Sequence, residues 1–259
     1  MRISIVTVVL NAERTIADAL HSVASQTYQD VEHLLIDGGS KDGTLAIARQ
    51  RGSHLCAIVS EPDQGLYDAM NKGARFATGE VLGFLNADDF YAESKTLEKV
   101  ADIFCSRTVD VCFGDLQYVD RLNVQRVLRH WEPGAFFPGR FASGWAPPHP
   151  TFFVRRSVFQ EVGGFNRKFQ LASDNDLMMR ILECHGYKSH YLNEVLVKMR
   201  IGGKTNRSLR NILRGNREIL SSLHANGIKV NILSYAVRKV LLKIKHRFVG
   251  MLKKNSLAY

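Results

Sequence analysis

Val81-Leu82-Gly83-Phe84-Leu85 runs directly into Asn86-Ala87-Asp88-Asp89, and this switch from wholly apolar to acidic within nine residues decides how the chain is read. Five consecutive apolar residues that end in turn-forming ones indicate a strand covered on both faces. Comparable runs lie at residues 3–10, 31–36 and 55–59. Between and after them, residues 12–25, 44–51, 66–77 and 94–104 read as helices, and 109–113 as a further strand. Strands alternating with helices of about ten to fifteen residues predict βαβ units and a mostly parallel sheet. Beyond that the pattern loosens. Residues 131–150 are rich in Gly, Pro and aromatics, and Pro147, Pro148 and Pro150 forbid a helix, so a loop or lid is expected there. A strand over 151–154, a helix over 174–184, one or two strands within 187–200 and helix beyond 206 complete the expectation.

Ligands of such a sheet bind beyond the carboxyl ends of its strands. Four successive strand ends carry polar or acidic residues: Asn11, then Asp37-Gly38-Gly39-Ser40-Lys41-Asp42-Gly43-Thr44, then Glu61-Pro62-Asp63-Gln64-Gly65, then Asn86-Ala87-Asp88-Asp89. Turn chemistry accounts for part of this. Adjacent carboxylates at Asp88 and Asp89 repel unless a cation lies near. One or two carboxylates completed by substrate phosphates are the usual way to hold Mg²⁺ or Mn²⁺, and the competing reading is a helix N-cap. Asp37 either accepts from the ring N–H of a pyrimidine or organises the Gly38-Gly39 turn. The absence of GxxxxGK[ST] and GxGxxG argues against an ATPase or a dinucleotide enzyme.

At 259 residues, 45% hydrophobic and 23% charged, the composition is that of a globular protein large enough for one α/β domain plus an appendage. No apolar run reaches the length of a membrane span and no signal peptide is read, so the expected address is the cytoplasm. Cys56, Cys105, Cys112 and Cys184 lack ligand spacing and read as small buried hydrophobes. The net charge of +10 is uneven. From Arg200 onward there are 14 Lys and Arg against the single acid Glu218, while residues 1–199 hold 21 basic and 24 acidic groups.

Taken together, these segments resemble family 2 glycosyltransferases of the GT-A fold, of the bacterial polysaccharide-biosynthesis type. The resemblance is carried by Ser4–Asn11, Leu35–Thr44, Ser60–Gly73, Gly83–Asp89, Gly163-Gly164-Phe165 and Ser173–Arg180, in the family's order over about residues 2–200. It implies a Rossmann-like catalytic domain over 1–204 with a basic helical extension over 205–259. It also implies a nucleotide-sugar donor, UDP-linked by preference, a divalent metal, and a glycan or polyprenyl-diphosphate-linked acceptor. Thr7, Val8 and Asp37 would hold the base, and Asn71 and Lys72 would lie near the donor. Asp88 and Asp89 match the metal-binding acidic motif. Asn86 stands where many relatives carry that motif's first acid; it can bond a ribose hydroxyl but adds no charge. Asp174 matches the general base of an inverting transfer.

The residues around Asp174 give their own reading. Ser173 is placed to cap a helix and Asp176 to complete a capping box, leaving Asp174 free on the first turn. His149 and Trp145 either face sugar and acceptor or belong to the loop. Arg200 and Lys204 flank Gly202-Gly203, either beside a diphosphate or as a solvated basic patch. Residues 233–252 place Leu233, Val237, Val240, Leu241, Ile244 and Phe248 on one helical face, ringed by Arg238, Lys239, Lys243, Lys245 and Arg247. That pattern suits an anionic membrane surface, each charge contributing about 1 kcal/mol, or packing on the domain with a solvated back. A nucleic-acid-binding protein, a sugar-nucleotide pyrophosphorylase and a donor-binding paralogue without activity are the competing functions. The first leaves Asp37, Asp88 and Asp174 without a role, and the second needs a Gly-rich basic loop that residues 7–14 lack.

Overall fold

The computed structural model describes residues 1–202, 208–232 and 235. Strand β1 (Ile3–Val9) lies between β2 (Val31–Asp37) and β4 (Val81–Asn86), parallel to both, and β3 (Leu55–Ser60) extends the sheet outside β2. Helices α1 (Ile16–Ala24), α2 (Thr44–Arg51) and α3 (Leu66–Phe76) make the crossovers. The order β3-β2-β1-β4 reverses direction between β1 and β4, so a crevice opens at their carboxyl ends.

Beyond β4 the sheet becomes mixed. Short β8 (Phe153–Arg155) pairs antiparallel with β4 and with β6 (Val111–Val119), and β9 (Ser189–Arg200) runs parallel to β6. Three elements were not read from the sequence: β5 (Asp89–Tyr91), β7 (Val127–Trp131) and α5 (Arg156–Glu161). Strand β5 begins at the second acid of the Asp88-Asp89 pair and is held by β9, Asp89 opposite Met199. Three residues are too few for a periodic pattern, and only the partner strand makes them a strand. The 131–150 segment is irregular as expected, with Trp131 closing β7 and two single 3₁₀ turns inside it.

Strand β1 is buried along its whole length, and its side chains alternate between the two faces of the sheet. Val6 and Val8 pack with Ile36 and Phe84 against Tyr67 and Met70 of α3 and Leu177 and Met178 of α6 (Ser173–Met179). Ile3 and Ile5 pack the other way, against Leu97, Val100 and Phe104 of α4 (Thr96–Ser106). Gly73 lets α3 sit this close: a Cβ there would lie 2.3 Å from Val6 Cγ1.

Helix α6 corrects the capping expectation. Ala172, not Ser173, precedes the first turn, and the Ser173 hydroxyl makes no cap bond. The helix continues past Met179 as a single π turn over Arg180–Cys184. Its amino end is served instead by α7 (Leu209–Ala225), whose Glu218 accepts from the Leu171 and Ala172 N–H groups at 2.7 and 3.2 Å. Leu223 of α7, Ile228, Val230 and Tyr235 join the same core. Lys204 and the 233–252 amphipathic pattern, Tyr235 apart, lie outside the described residues. No helix among the described residues is long and apolar enough to cross a membrane.

Candidate active site

Two polar stations sit at the carboxyl edge of the sheet, on either side of β1. Asp37 is opposite Val9 and Asn86 opposite Val8, so the two flank β1 at one level, about 10 Å apart by strand spacing. On the β2 side, Asp37 is fully buried and its carboxylate accepts from the N–H groups of Gly39 and Ser40 and from the hydroxyls of Ser40 and Ser60. Here the carboxylate organises the turn. Asn11, with φ 50°, ties this turn to the end of β1: its N–H donates to Ser40 Oγ and its Oδ1 accepts from Lys41 N. Asn is among the few residues that adopt this conformation readily.

On the β4 side, Asn86 Nδ2 donates to Asp89 Oδ2 at 3.0 Å. Asp89 is buried, and burial together with the neighbouring Asp88 charge holds its carboxyl well above the usual range. Asp88 is half-buried and raised by burial, against which the positive charges of Arg200 and Arg121 pull down. The Arg200 guanidinium is buried, donates from Nη1 to the Asp88 carbonyl at 2.9 Å, pairs with Asp18 of α1 and lies 5.0 Å over the Phe90 ring. It braces the acidic turn from beneath.

Asp174 stands on the first turn of α6, half-buried, and accepts from the Tyr67 hydroxyl at 3.0 Å through Oδ1. An aromatic floor supports it. Tyr67 stacks on Phe165 at 5.5 Å, Phe165 meets Phe84 edge-on at 5.0 Å, and the His149 ring stacks on Phe84 at 5.9 Å. Burial pulls the His149 imidazole below its ordinary value, while the negative charge of Asp174 pushes the other way. Burial pushes the Tyr118 phenol up to about 12, and the negative charges of Asp89 and Asp174 act in the same sense. Phe84, two residues before Asn86 on β4, ties this aromatic floor to the strand that leads into the acidic turn.

Other candidates serve the framework. Asn71 donates to the Phe165 carbonyl at 2.8 Å and accepts from its N–H at 2.9 Å, clamping the Gly163-Gly164-Phe165 turn to α3. Gly164, at φ 66°, is required there, because a Cβ would stand 2.7 Å from Asn71 Oδ1. Lys72 is buried and paired with Glu61 at 2.8 Å. The Thr7 hydroxyl is bonded to His33 Nε2, and the Val8 side chain lies in the core. Trp145 is buried, donates to the Pro133 carbonyl and packs on Phe141, so its indole belongs to the loop and offers no free face. Asp176 is buried against Arg180 at 2.8 Å and the Ser222 hydroxyl at 2.5 Å, out of reach of an acceptor. Tyr67, Tyr118 and Glu218 were missed by sequence reasoning; only Tyr67 carried a signal, lying inside the Ser60–Gly73 segment.

Among the described residues, Asp115, His130 and Glu132 place three ligand-type atoms within 4.8 Å of one another. Both Asp115 oxygens are already used, Oδ2 by His130 Nε2 at 2.8 Å and Oδ1 by the Tyr191 hydroxyl at 2.6 Å. This reads as a hydrogen-bonded brace between β6, β7 and β9. The Asn86–Asp89 turn fits a divalent cation better. Asn86 Oδ1 and Asp89 Oδ1 are buried acceptors without a partner, and a cation would offset the burial that raises both carboxyls and the Asp88 charge that adds to it at Asp89.

The family model for glycosyl transferase family 2 matches residues 4–172. The PGL/p-HBAD biosynthesis glycosyltransferase of Mycobacterium bovis (strain BCG / Pasteur 1173P2) is 33% identical over 208 residues, 78% of each chain. Among solved structures, S. aureus TarS 1-349 in complex with UDP superposes with a TM-score of 0.65 at 19% identity, over 86% of this chain and 65% of that one. A longer TarS chain is covered to only 40%. The mannosyltransferase PcManGT from Pyrobaculum calidifontis, in complex with GDP-Man and Mn2+, gives 0.61 at 17% identity over 98% of this chain and 86% of that one. At such identities the structures speak for the fold, which is the GT-A fold. The family match and the mycobacterial relative together settle the rest: this chain belongs to glycosyl transferase family 2.

Proposed function

We infer that the protein moves a sugar from a nucleoside-diphosphate donor, UDP-linked by preference, to a hydroxyl of a glycan or lipid-linked acceptor, with inversion at the anomeric carbon. One observation carries this reading. Among the described residues, Asn86 Oδ1 and Asp89 Oδ1 in the acidic turn, and His149 Nε2, Ser173 Oγ and Asn175 Oδ1 at the aromatic floor and the first turn of α6, are buried polar atoms without a hydrogen-bond partner, as is Glu183 Oε2 farther along that helix. Buried polar groups left unpaired cost stability and are retained where a ligand completes them.

In this reading Asp174 takes the proton of the acceptor hydroxyl as its oxygen bonds the anomeric carbon from the face opposite the diphosphate. The bond from that carbon to the diphosphate oxygen breaks, its electron pair leaves with the nucleotide, and one displacement inverts the centre. Tyr67 holds Asp174 Oδ1 and so presents Oδ2 to the acceptor. His149 lines the acceptor side. Asp88 and Asp89 would hold Mg²⁺ or Mn²⁺, which when bound supplies charge stabilisation to the departing diphosphate. Thr7 and Val8 contribute through their backbone and Asp37 through the turn it organises, at the base end. Asn71 and Lys72 shape the donor side from α3.

Melting curves with UDP or GDP, with and without Mn²⁺, test the donor site. A nucleotide-dependent rise that needs Mn²⁺ is expected, and unchanged curves with every nucleotide would sink the reading. Asp89 adds a pH signature. Its folded-state pKa is raised, so without metal the folded state takes up a proton that the unfolded chain does not, and stability rises as pH falls through that pKa. Metal needs the carboxylate, so the Mn²⁺ shift fades over the same fall. Asp89→Asn should raise the metal-free melting temperature and abolish the Mn²⁺ response. A variant that keeps that response would refute the metal assignment.

We retain residues 1–204 as the catalytic unit and 205–259 as a basic extension, with α7 bracing the helix that carries Asp174. The 233–252 segment is our candidate for docking on an anionic cytoplasmic membrane face. Since Val230 and Tyr235 pack in the core, a chain ending after Tyr235 is the right test. It should lose sedimentation with vesicles containing phosphatidylglycerol; undiminished binding would rule the segment out.

A further inference from the structure

Of the two arginines whose charge reaches Asp88, only one is free to meet a ligand. Arg200 is buried and spends its guanidinium on the Asp88 carbonyl and Asp18. Arg121 is exposed, and among the described residues its guanidinium makes no hydrogen bond or ion pair. Its position follows from the sheet. Val119, at the end of β6, lies opposite Arg200 and accepts from Ile201 N at 3.0 Å, so the chain leaves β6 beside Arg200. Two residues on, the Arg121 Nη1 comes to 3.6 Å from where a Cβ on Gly202 would be. The next arginine of the hairpin, Arg126, is paired with Asp120 at 4.0 Å.

Arg121 thus lies beside the segment that carries Arg200, whose guanidinium bonds the Asp88 carbonyl, which makes it the exposed cation nearest in the fold to a diphosphate held by a cation at Asp88. Its fork of N–H donors matches two non-bridging phosphate oxygens, which a lysine cannot do. We propose that Arg121 binds the diphosphate of the donor and of the nucleotide product from the β6–β7 hairpin, acting as the exposed cation of the site while the buried Arg200 acts as its brace. This rests on the donor reading above. It also assigns the hairpin, which the sequence resemblance leaves without a part, to the leaving-group side of the crevice.

The test uses the full chain with Mn²⁺, and titrates uridine, UMP and UDP, with the guanosine series in parallel, against wild type, Arg121→Ala, Arg121→Lys and Arg126→Ala. Charge-assisted phosphate bonds predict a loss of UDP affinity of about ten-fold or more in Arg121→Ala, with nucleoside affinity unchanged. Arg121→Lys should recover part of the loss and Arg126→Ala should match wild type. If wild type binds UDP or GDP and Arg121→Ala binds it equally well, or loses nucleoside and diphosphate affinity alike, the assignment to Arg121 falls while the donor site stands. If wild type binds no nucleotide, the donor reading falls first and takes this one with it.

Discussion

Asp174→Asn is expected to lower kcat by about 10²–10⁴-fold while leaving donor affinity and melting temperature near wild type, the range typical of losing a general base. The amide has the shape of the carboxylate and can still accept from the Tyr67 hydroxyl, so the 3.0 Å contact and the α6 turn survive. What it lacks is the ability to take a proton from the acceptor. Steady-state rates with a responsive acceptor, read beside nucleotide-dependent melting, separate chemistry from binding. A variant that turns over within a few-fold of wild type would remove Asp174 from the mechanism.

Two residues along the same helix the outcome reverses. Asp176→Ala should cost on the order of 3–5 kcal/mol, because it strands a charge in a nearly closed site. The Asp176 side chain is 2% exposed, its partner Arg180 is 15% exposed, and Ser222 would lose its acceptor. The exposure of Arg180 places the loss toward the lower end. For a chain of this size that is a fall in melting temperature on the order of 10 °C. A melting temperature within about 2 °C of wild type would show that the Asp176 carboxylate is not what secures α6 to Arg180 and to Ser222 of α7. The two variants together distinguish adjacent acids that composition and spacing treat alike.

The strand-and-helix alternation of the first hundred residues was legible because each element there carries its own signal. Apolar runs of five to seven residues, glycine-rich turns and helices of eight to eleven residues are local facts, and α2 matches the expected 44–51 outright. The crevice was legible for the same reason, since strand ends in a doubly wound sheet face one edge. Elements that exist only through a partner were not. Strand β5 needs β9, and α5 is a short turn fixed between β8 and the glycine-rich bend.

Side-chain assignments divide the same way. Asn71, Trp145 and Asp176 carry chemistry suited to a site, yet Asn71 and Trp145 are occupied by backbone groups from elsewhere in the chain, and Asp176 by Arg180 one turn on and by the distant Ser222 hydroxyl. Glu218 is the sharpest case. In the sequence it is the lone acid of a basic tail, and in the fold its carboxylate serves the N–H groups at the start of the helix that bears Asp174.

The order of residues by itself determined the parallel half-sheet and the acidic strand ends, because periodicity and turn chemistry act over a few residues, and its ordered motifs carried the resemblance to the family. Only the tertiary structure decided which polar groups stay available. That depends on whether a hydrogen-bond partner arrives from elsewhere in the chain, and a buried group is claimed by whichever partner the packing brings within about 3 Å.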